Sequence, residues 1–220
     1  MSVHSVISFD FSIGNTPGYH STLFPPYFVA GALLSGFAMV LTLAIPLRRA
    51  FGLHDFITPV HLDHAAKVLL ACALVVAYSY AMETFIAFYS GDRFEIATVT
   101  DRWRGAYAPV FWAMLACNVL APQLLWWRRC RRHVALLFVL SLVVNLGMWM
   151  ERMLIVVQSL HRDFMPSAWG LYLPTFWDWV VLLGTVSCFV WLFLVFIRVL
   201  PVISISEMRL LVRESAGERG

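Results

Sequence analysis

VALLFVLSLVVNLGMWMERMLIVVQSL, residues Val134 to Leu160, is an apolar run that carries two adjacent charges, Glu151 and Arg152. A hydrocarbon core about 30 Å thick is crossed by roughly 20 residues of helix, so the run is long enough to span a membrane. A charge near a bilayer centre costs at least about 2.5 kcal/mol on insertion scales; such groups face a protein interior, find partners and mark a proton or ligand path. The stretch predicts a transmembrane helix packed among others, and its charged pair is where the question of function starts.

Working outward, four more stretches have the same character: Tyr27 to Leu47, Val68 to Tyr89, Pro109 to Trp127, and Trp179 to Leu200. Trp and Tyr recur at their ends, as interfacial anchors do. With 60% hydrophobic and 13% charged residues and a mean hydropathy of +0.76, the chain reads as an integral membrane protein. The expected fold is all-α with five transmembrane helices. Residues 1–26 read as an outer-side helix end and loop, 27–200 as the transmembrane domain, and 201–220 as a cytoplasmic tail.

Orientation follows from Lys and Arg, which accumulate on the cytoplasmic side. Arg48, Arg49, Lys67, Arg128, Arg129, Arg131, Arg132, Arg198, Arg209, Arg213 and Arg219 fall on one side, against Arg93, Arg102, Arg104 and Arg162 on the other. Eleven against four puts the C-terminus inside and the N-terminus outside. Residues 1–26 have no basic n-region followed by an apolar h-region, so they are no signal peptide. Either a short tail crosses unaided, or Ser2 to Phe11 is the outer end of a helix that begins upstream, in which case the chain is the C-terminal part of a larger protein.

Several chemistries find no support in the residues. Cys72, Cys117 and Cys188 lie in spans, Cys130 lies among arginines, and no Cys-x-x-Cys occurs, so no disulfide framework or zinc site is readable. His4, His20, His54, His61, His64, His133 and His161 all fall outside the spans, whereas a membrane haem takes histidines at membrane depth. No haem or metal of its own is expected. The basic residues are explained by topology rather than nucleic acid, and no phosphate loop or nucleophile elbow appears.

What remains is the placement of polar groups. At about 1.5 Å per residue, Glu83 lies about 22 Å in from Val68 and Glu151 about 25 Å in from Val134, so the carboxylates share a level in the outer third. Ser141, Asn145 and Arg152 fall on one face of their helix, and Gly147, Glu151 and Gln158 on the adjacent one. Tyr80, Glu83 and Thr84 form a comparable strip, which pairs Arg152 with Glu83 across helices. Two readings of Glu83, Glu151 and Arg152 stand open: a satisfied network that locks helices together, or a proton or substrate path.

Toward the inner side, His61, Asp63, His64 and Lys67 precede the second span. They read either as a solvated helix start or as a proton-collecting cluster feeding Tyr78, Tyr80 and Glu83. Toward the outer side, His4, Asp10, Tyr19 and His20 precede the first span, and His161, Arg162, Asp163 and Asp178 frame the last loop. Oxidation of a quinol releases two electrons and two protons, which calls for a carboxylate or histidine beside an apolar slot. Asp10, between Phe9 and Phe11, has that character; an ordinary interfacial aspartate has it too.

Long stretches resemble the NrfD/PsrC family of quinol-interacting membrane subunits, and within it ActC, the larger such subunit of bacterial alternative complex III. The likeness runs through SVHSVISFDFS (2–12), PGYHSTLFPPYFVAGALLSGFAMVLTLAIPLR (17–48), GLHDFITPVHLDHAAKV (52–68), MWMERMLIVVQSLHRDF (148–164), WGLYLPTFWDW (169–179) and PVISISEMR (201–209). It implies a protein about twice this length with two four-helix bundles, of which this chain resembles the second plus the last helix, with the N-terminal helices missing.

The resemblance also implies a bacterial inner membrane, quinol (menaquinol or ubiquinol) as substrate, and iron–sulfur and multihaem cytochrome subunits as partners. By it, His4 and Asp10 match the quinol-facing segment. Glu83, Glu151 and Arg152, with His61 and Asp63 below them, match second-bundle positions proposed to move protons; His64 and Tyr80 join them as proton-path candidates by their own chemistry and placement. Tyr19 stands where the family pattern leads one to expect Trp, and His64 where it leads one to expect Asn. The alternatives are a passive anchor for a molybdenum/iron–sulfur oxidoreductase, and an ion or solute transporter. The latter predicts broken helices at matching positions in two halves, with Pro46 and Pro122 as the places to look.

Overall fold

A computed structural model describes residues 2–14, 23–161, 165, 167 and 169–200. Tyr19, His20, Arg162, Asp163 and the tail 201–220, all named above, lie outside the described residues. Those described are helical apart from short connections: α1 (Ser2–Ser12), α2 (Phe24–Ala50), α3 (Pro59–Ser90), α4 (Arg93–Arg104), α5 (Ala108–Leu115), α6 (Arg128–Arg132), α7 (Val134–His161) and α8 (Phe176–Val199), with a π turn and a 3-10 turn between α5 and α6. Among the described residues, five helical segments are long and apolar enough to cross a membrane, and each overlaps one of the predicted spans.

Two compact units emerge, Met1–Leu171 and Tyr172–Gly220. In the second, Thr175 caps α8: its N–H and hydroxyl donate to Asp178 at 2.7 and 2.8 Å, satisfying the helix start. In the first, α2 packs against α1, α3 and α7, while α7 also packs against α5 and the π turn. Leu34, Ala38, Ala66, Ala73, Leu137 and Val144 form the buried seam. Small residues there let helix backbones approach closely where lipid gives no hydrophobic drive for association.

Helix α3 begins nine residues before the predicted span because its polar first turns are helical without being apolar. Pro59 sits at a position whose N–H needs no helical partner. The Thr58 N–H donates to His61 Nδ1 at 3.2 Å and the His61 N–H donates back to Thr58 Oγ1 at 3.5 Å, forming a reciprocal cap. Gly91, at φ 69°, ends the helix in the left-handed conformation that favours glycine. Beyond it, α4 is a polar helix with no apolar run to announce it; Asp92 accepts from the Phe94 N–H at 2.8 Å and starts it.

The third span is broken. Pro122 has no N–H to donate to the Asn118 carbonyl, so the ladder widens ahead of it: Ala121 donates to Ala116, five residues back. It then tightens into the 3-10 turn Ala121–Trp126. A proline inside a helix forces such an adjustment. Arg131 seals the far end, donating to Asp63 at 2.8 Å and to the Leu125 and Trp126 carbonyls at 2.6 and 3.0 Å, and Lys67 completes the cluster at 2.6 Å from Asp63. Replacing Arg131 by Gln removes a charged pair and frees carbonyls left over from a broken helix. The unfolding free energy in detergent is expected to fall by about 1–3 kcal/mol, read as a lower midpoint; an unchanged midpoint would show that the cluster holds nothing together.

Candidate functional site

Glu151 points into the bundle from α7 and is 1% exposed. Its Oε2 accepts from the Tyr80 hydroxyl at 2.5 Å and from Asn118 Nδ2 at 3.2 Å, and Asn118 Nδ2 lies 3.0 Å from the same hydroxyl. Three helical segments thus converge on one carboxylate oxygen. The other oxygen, Oε1, makes no hydrogen bond among the described residues and lies 3.7 Å from Arg152. A buried carboxylate with one oxygen that accepts no hydrogen bond has the chemistry to take up a proton: an acceptor beside Arg152 and a hydroxyl donor in contact.

The backbone explains the convergence. The π turn carries Asn118 inward to full burial, and Gly147 on α7 faces it so closely that a Cβ there would meet the Asn118 side chain and lie 2.6 Å from the Cys117 Cβ. Gly31 does the same for Arg152: a Cβ at position 31 would come within 3.0 Å of the guanidinium. Arg152 lies over the Phe28 ring, 4.0 Å from its centroid, a cation–π contact that partly replaces lost hydration.

Beside Glu151 lies a cavity of about 40 Å³ lined by Tyr27, Tyr80, Glu83, Arg102, Glu151 and Gln158 among others, room for a few waters. Its polar wall opposite Glu151 is an ion pair, Arg102 to Glu83 at 2.5 Å. The pairing of Arg152 with Glu83 expected from helical phase is not formed; α4 delivers Arg102 instead. Burial works against the charge on Arg102, but the Glu83 carboxylate outweighs it and holds the guanidinium above its ordinary value. Gln158 ties α4 to α7, donating to the Thr98 carbonyl at 3.4 Å, and its own carbonyl oxygen is unpaired among the described residues.

The remaining expected residues are spread out. On α1, His4 and Asp10 are exposed; the His4 ring is 6.2 Å from Phe28 and the Phe11 ring 6.3 Å from it. At the opposite end of the bundle, His61 is occupied in capping α3 and Asp63 is clamped, with His64 exposed beside them. From Asp63 to Tyr80 is about 25 Å along α3. Midway, Thr42 lies 2.9 Å from Ser141 and accepts from Asn145 at 3.0 Å. Sequence reasoning missed Asn118 and Arg102. Pro122, four residues after Asn118, was the signal for the first; for the second nothing in the apolar pattern served.

Fold and site together define a class: a multi-pass, all-helical membrane protein with a buried carboxylate cluster between its spans. A sequence model of the NrfD polysulphide reductase family matches residues 1–162, and the chain belongs to that family. Its members are membrane subunits of quinol-interacting oxidoreductases and partner with iron–sulfur subunits. No curated protein matches the chain.

Proposed function

We propose that this chain is the quinol-oxidising membrane subunit of a respiratory complex of the alternative complex III type in a bacterial inner membrane. Its N-terminal end faces outward and its electron acceptors are iron–sulfur and multihaem cytochrome subunits. Family membership supports the quinol chemistry. The observation that carries the proton part is the buried Glu151, bound by Tyr80 and Asn118 on one oxygen and open on the other, beside a polar cavity.

In this reading quinol binds along the exposed apolar face of α1, where Val6, Phe9 and Ile13 flank Asp10. Asp10 and His4 take the two hydroxyl protons as two electrons leave to the partner and the quinol becomes quinone. Glu151 and Tyr80 move protons through the bundle, with Glu83 and Arg152 setting the local field and His61, Asp63 and His64 at the far end. Asp10→Asn in the intact complex is expected to slow quinol oxidation about 10²-fold, the low end of what a positioned general base contributes. Steady-state quinol oxidation at the parental rate would remove Asp10 from the mechanism.

A transporter would carry broken helices at matching positions of two halves. Among the described residues the span at Pro122 is broken and the helix containing Pro46 runs on unbroken.

A further inference from the structure

The cavity beside Glu151 has a neighbour. A second cavity, lined by Glu83, Ile86, Ala87, Glu95, Thr98, Val99 and Arg102, shares Glu83, Val99 and Arg102 with the first. The Arg102–Glu83 pair therefore stands as a partition: Glu151, Tyr80 and Gln158 on one side, Glu95 and Thr98 on the other. The Arg102 side chain is 14% exposed and that of Glu83 29%, so the partition is reachable rather than sealed in the core.

A second carboxylate, Glu95, lines the same cavity as Arg102, and its Oε2 accepts from the Ser90 hydroxyl at 3.5 Å. Glu95 and Arg102 are seven residues apart on α4, two turns along one face, about 10 Å in rise. A helical side chain leans toward the N-terminus of its helix, which is the direction from Arg102 to Glu95. Arg102 thus has its present partner Glu83 within the partition and a group of the same chemistry, Glu95, on the wall of the second cavity.

We propose that Arg102 is a gate: paired with Glu83 it separates the Glu151 cavity from the vestibule under α4, and transferred to Glu95 it joins the two by water. Arg102 is then a positioning residue that decides when Glu151 meets the aqueous phase on the α4 side. The proposal rests on Glu151 as a proton carrier, and the test below separates the two ideas.

The test is reaction of introduced cysteines with a small, membrane-impermeant methanethiosulfonate, in the intact complex in native membranes with Cys72→Ala, Cys117→Ala, Cys130→Ala and Cys188→Ala. Thr98→Cys reports on the vestibule and Thr84→Cys on the Glu151 cavity. Thr98→Cys is expected to react rapidly in every background. Thr84→Cys is expected to react slowly with Arg102 or Arg102→Lys, at least ten-fold faster with Arg102→Gln, and slowly again in the charge swap Arg102→Glu with Glu83→Arg.

Glu83→Gln carries the same expectation as Arg102→Gln and serves if that variant does not assemble. Glu95→Gln, which removes the open-state partner, is expected to leave Thr84→Cys at or below its parental rate. Equal rates for Thr84→Cys and Thr98→Cys with Arg102 intact, or a Thr84→Cys rate indifferent to Arg102→Gln and Glu83→Gln, overturns the gate. Proton translocation that survives Glu151→Gln while the cysteine rates change as stated overturns the proton reading and leaves the gate standing.

Discussion

Glutamine at position 151 is expected to stop proton translocation by the intact complex while quinol oxidation continues. The substitution keeps the shape of the side chain and one carbonyl oxygen able to accept from Tyr80 and Asn118, but the amide neither takes up nor releases a proton under physiological conditions. The fold should tolerate it, since the partners of Glu151 keep an acceptor. Glu151→Leu is a different matter. It leaves the Tyr80 hydroxyl and the Asn118 amide without the acceptor they share, a loss of about 1–3 kcal/mol by the cost of orphaned buried donors. Proton release by reconstituted liposomes, read beside the unfolding midpoint, tells the roles apart. Full pumping with Glu151→Gln, together with a low midpoint for Glu151→Leu, would reduce the Glu151 cluster to a helix lock and place the proton path elsewhere in the complex.

A second large effect is expected at Gly147. In most helices a glycine is weaker than alanine by about 0.5–1 kcal/mol, and Gly36 of α2 fits that rule because nothing lies within 4 Å of where its Cβ would stand. Gly36→Ala should therefore be neutral or slightly stabilising. At Gly147 the sign reverses. The new methyl would overlap the Asn118 side chain and press on the Cys117 Cβ, both held near the backbone of the π turn, so α7 and the π turn would have to part. Overpacking of this kind costs typically about 1–3 kcal/mol. Asn118 would be pushed off Glu151 in the process, so Gly147→Ala should also impair whatever function the cluster serves. Unfolding of the two glycine variants in the same detergent, with opposite shifts of midpoint, checks the argument; a stabilised Gly147→Ala would refute it.

The spans were legible because hydropathy reports what the bilayer demands, and Val134 to Leu160 or Trp179 to Leu200 meet that demand without help from the rest of the chain. The same index is blind to helix that extends beyond the lipid. It therefore starts the second span at Val68, although Thr58, Pro59 and His61 had already begun the helix.

Glu151 was legible as a charge in an expensive place, and its partner Tyr80 as part of a polar strip. Asn118 was not, since an asparagine in an apolar run shows no preferred direction until the π turn created by Pro122 aims it. Arg102 was the larger omission. It sits on a short polar helix that looks, residue by residue, like an ordinary connection, and only the fold brings it back over Glu83 in place of Arg152.

Phe28 is a neighbour shared by α1 and Arg152. The His4 and Phe11 rings lie 6.2 and 6.3 Å from its ring, and the guanidinium of Arg152 lies 4.0 Å from its centroid. A phenyl ring has no exchangeable hydrogen, so nothing crosses it as a Grotthuss hop. It does have a rigid plane, and a shift of that plane moves the charge resting against it. Whatever α1 conveys to Glu151 through this contact is a displacement, converted at Arg152 into a change of electric field: a lever rather than a wire.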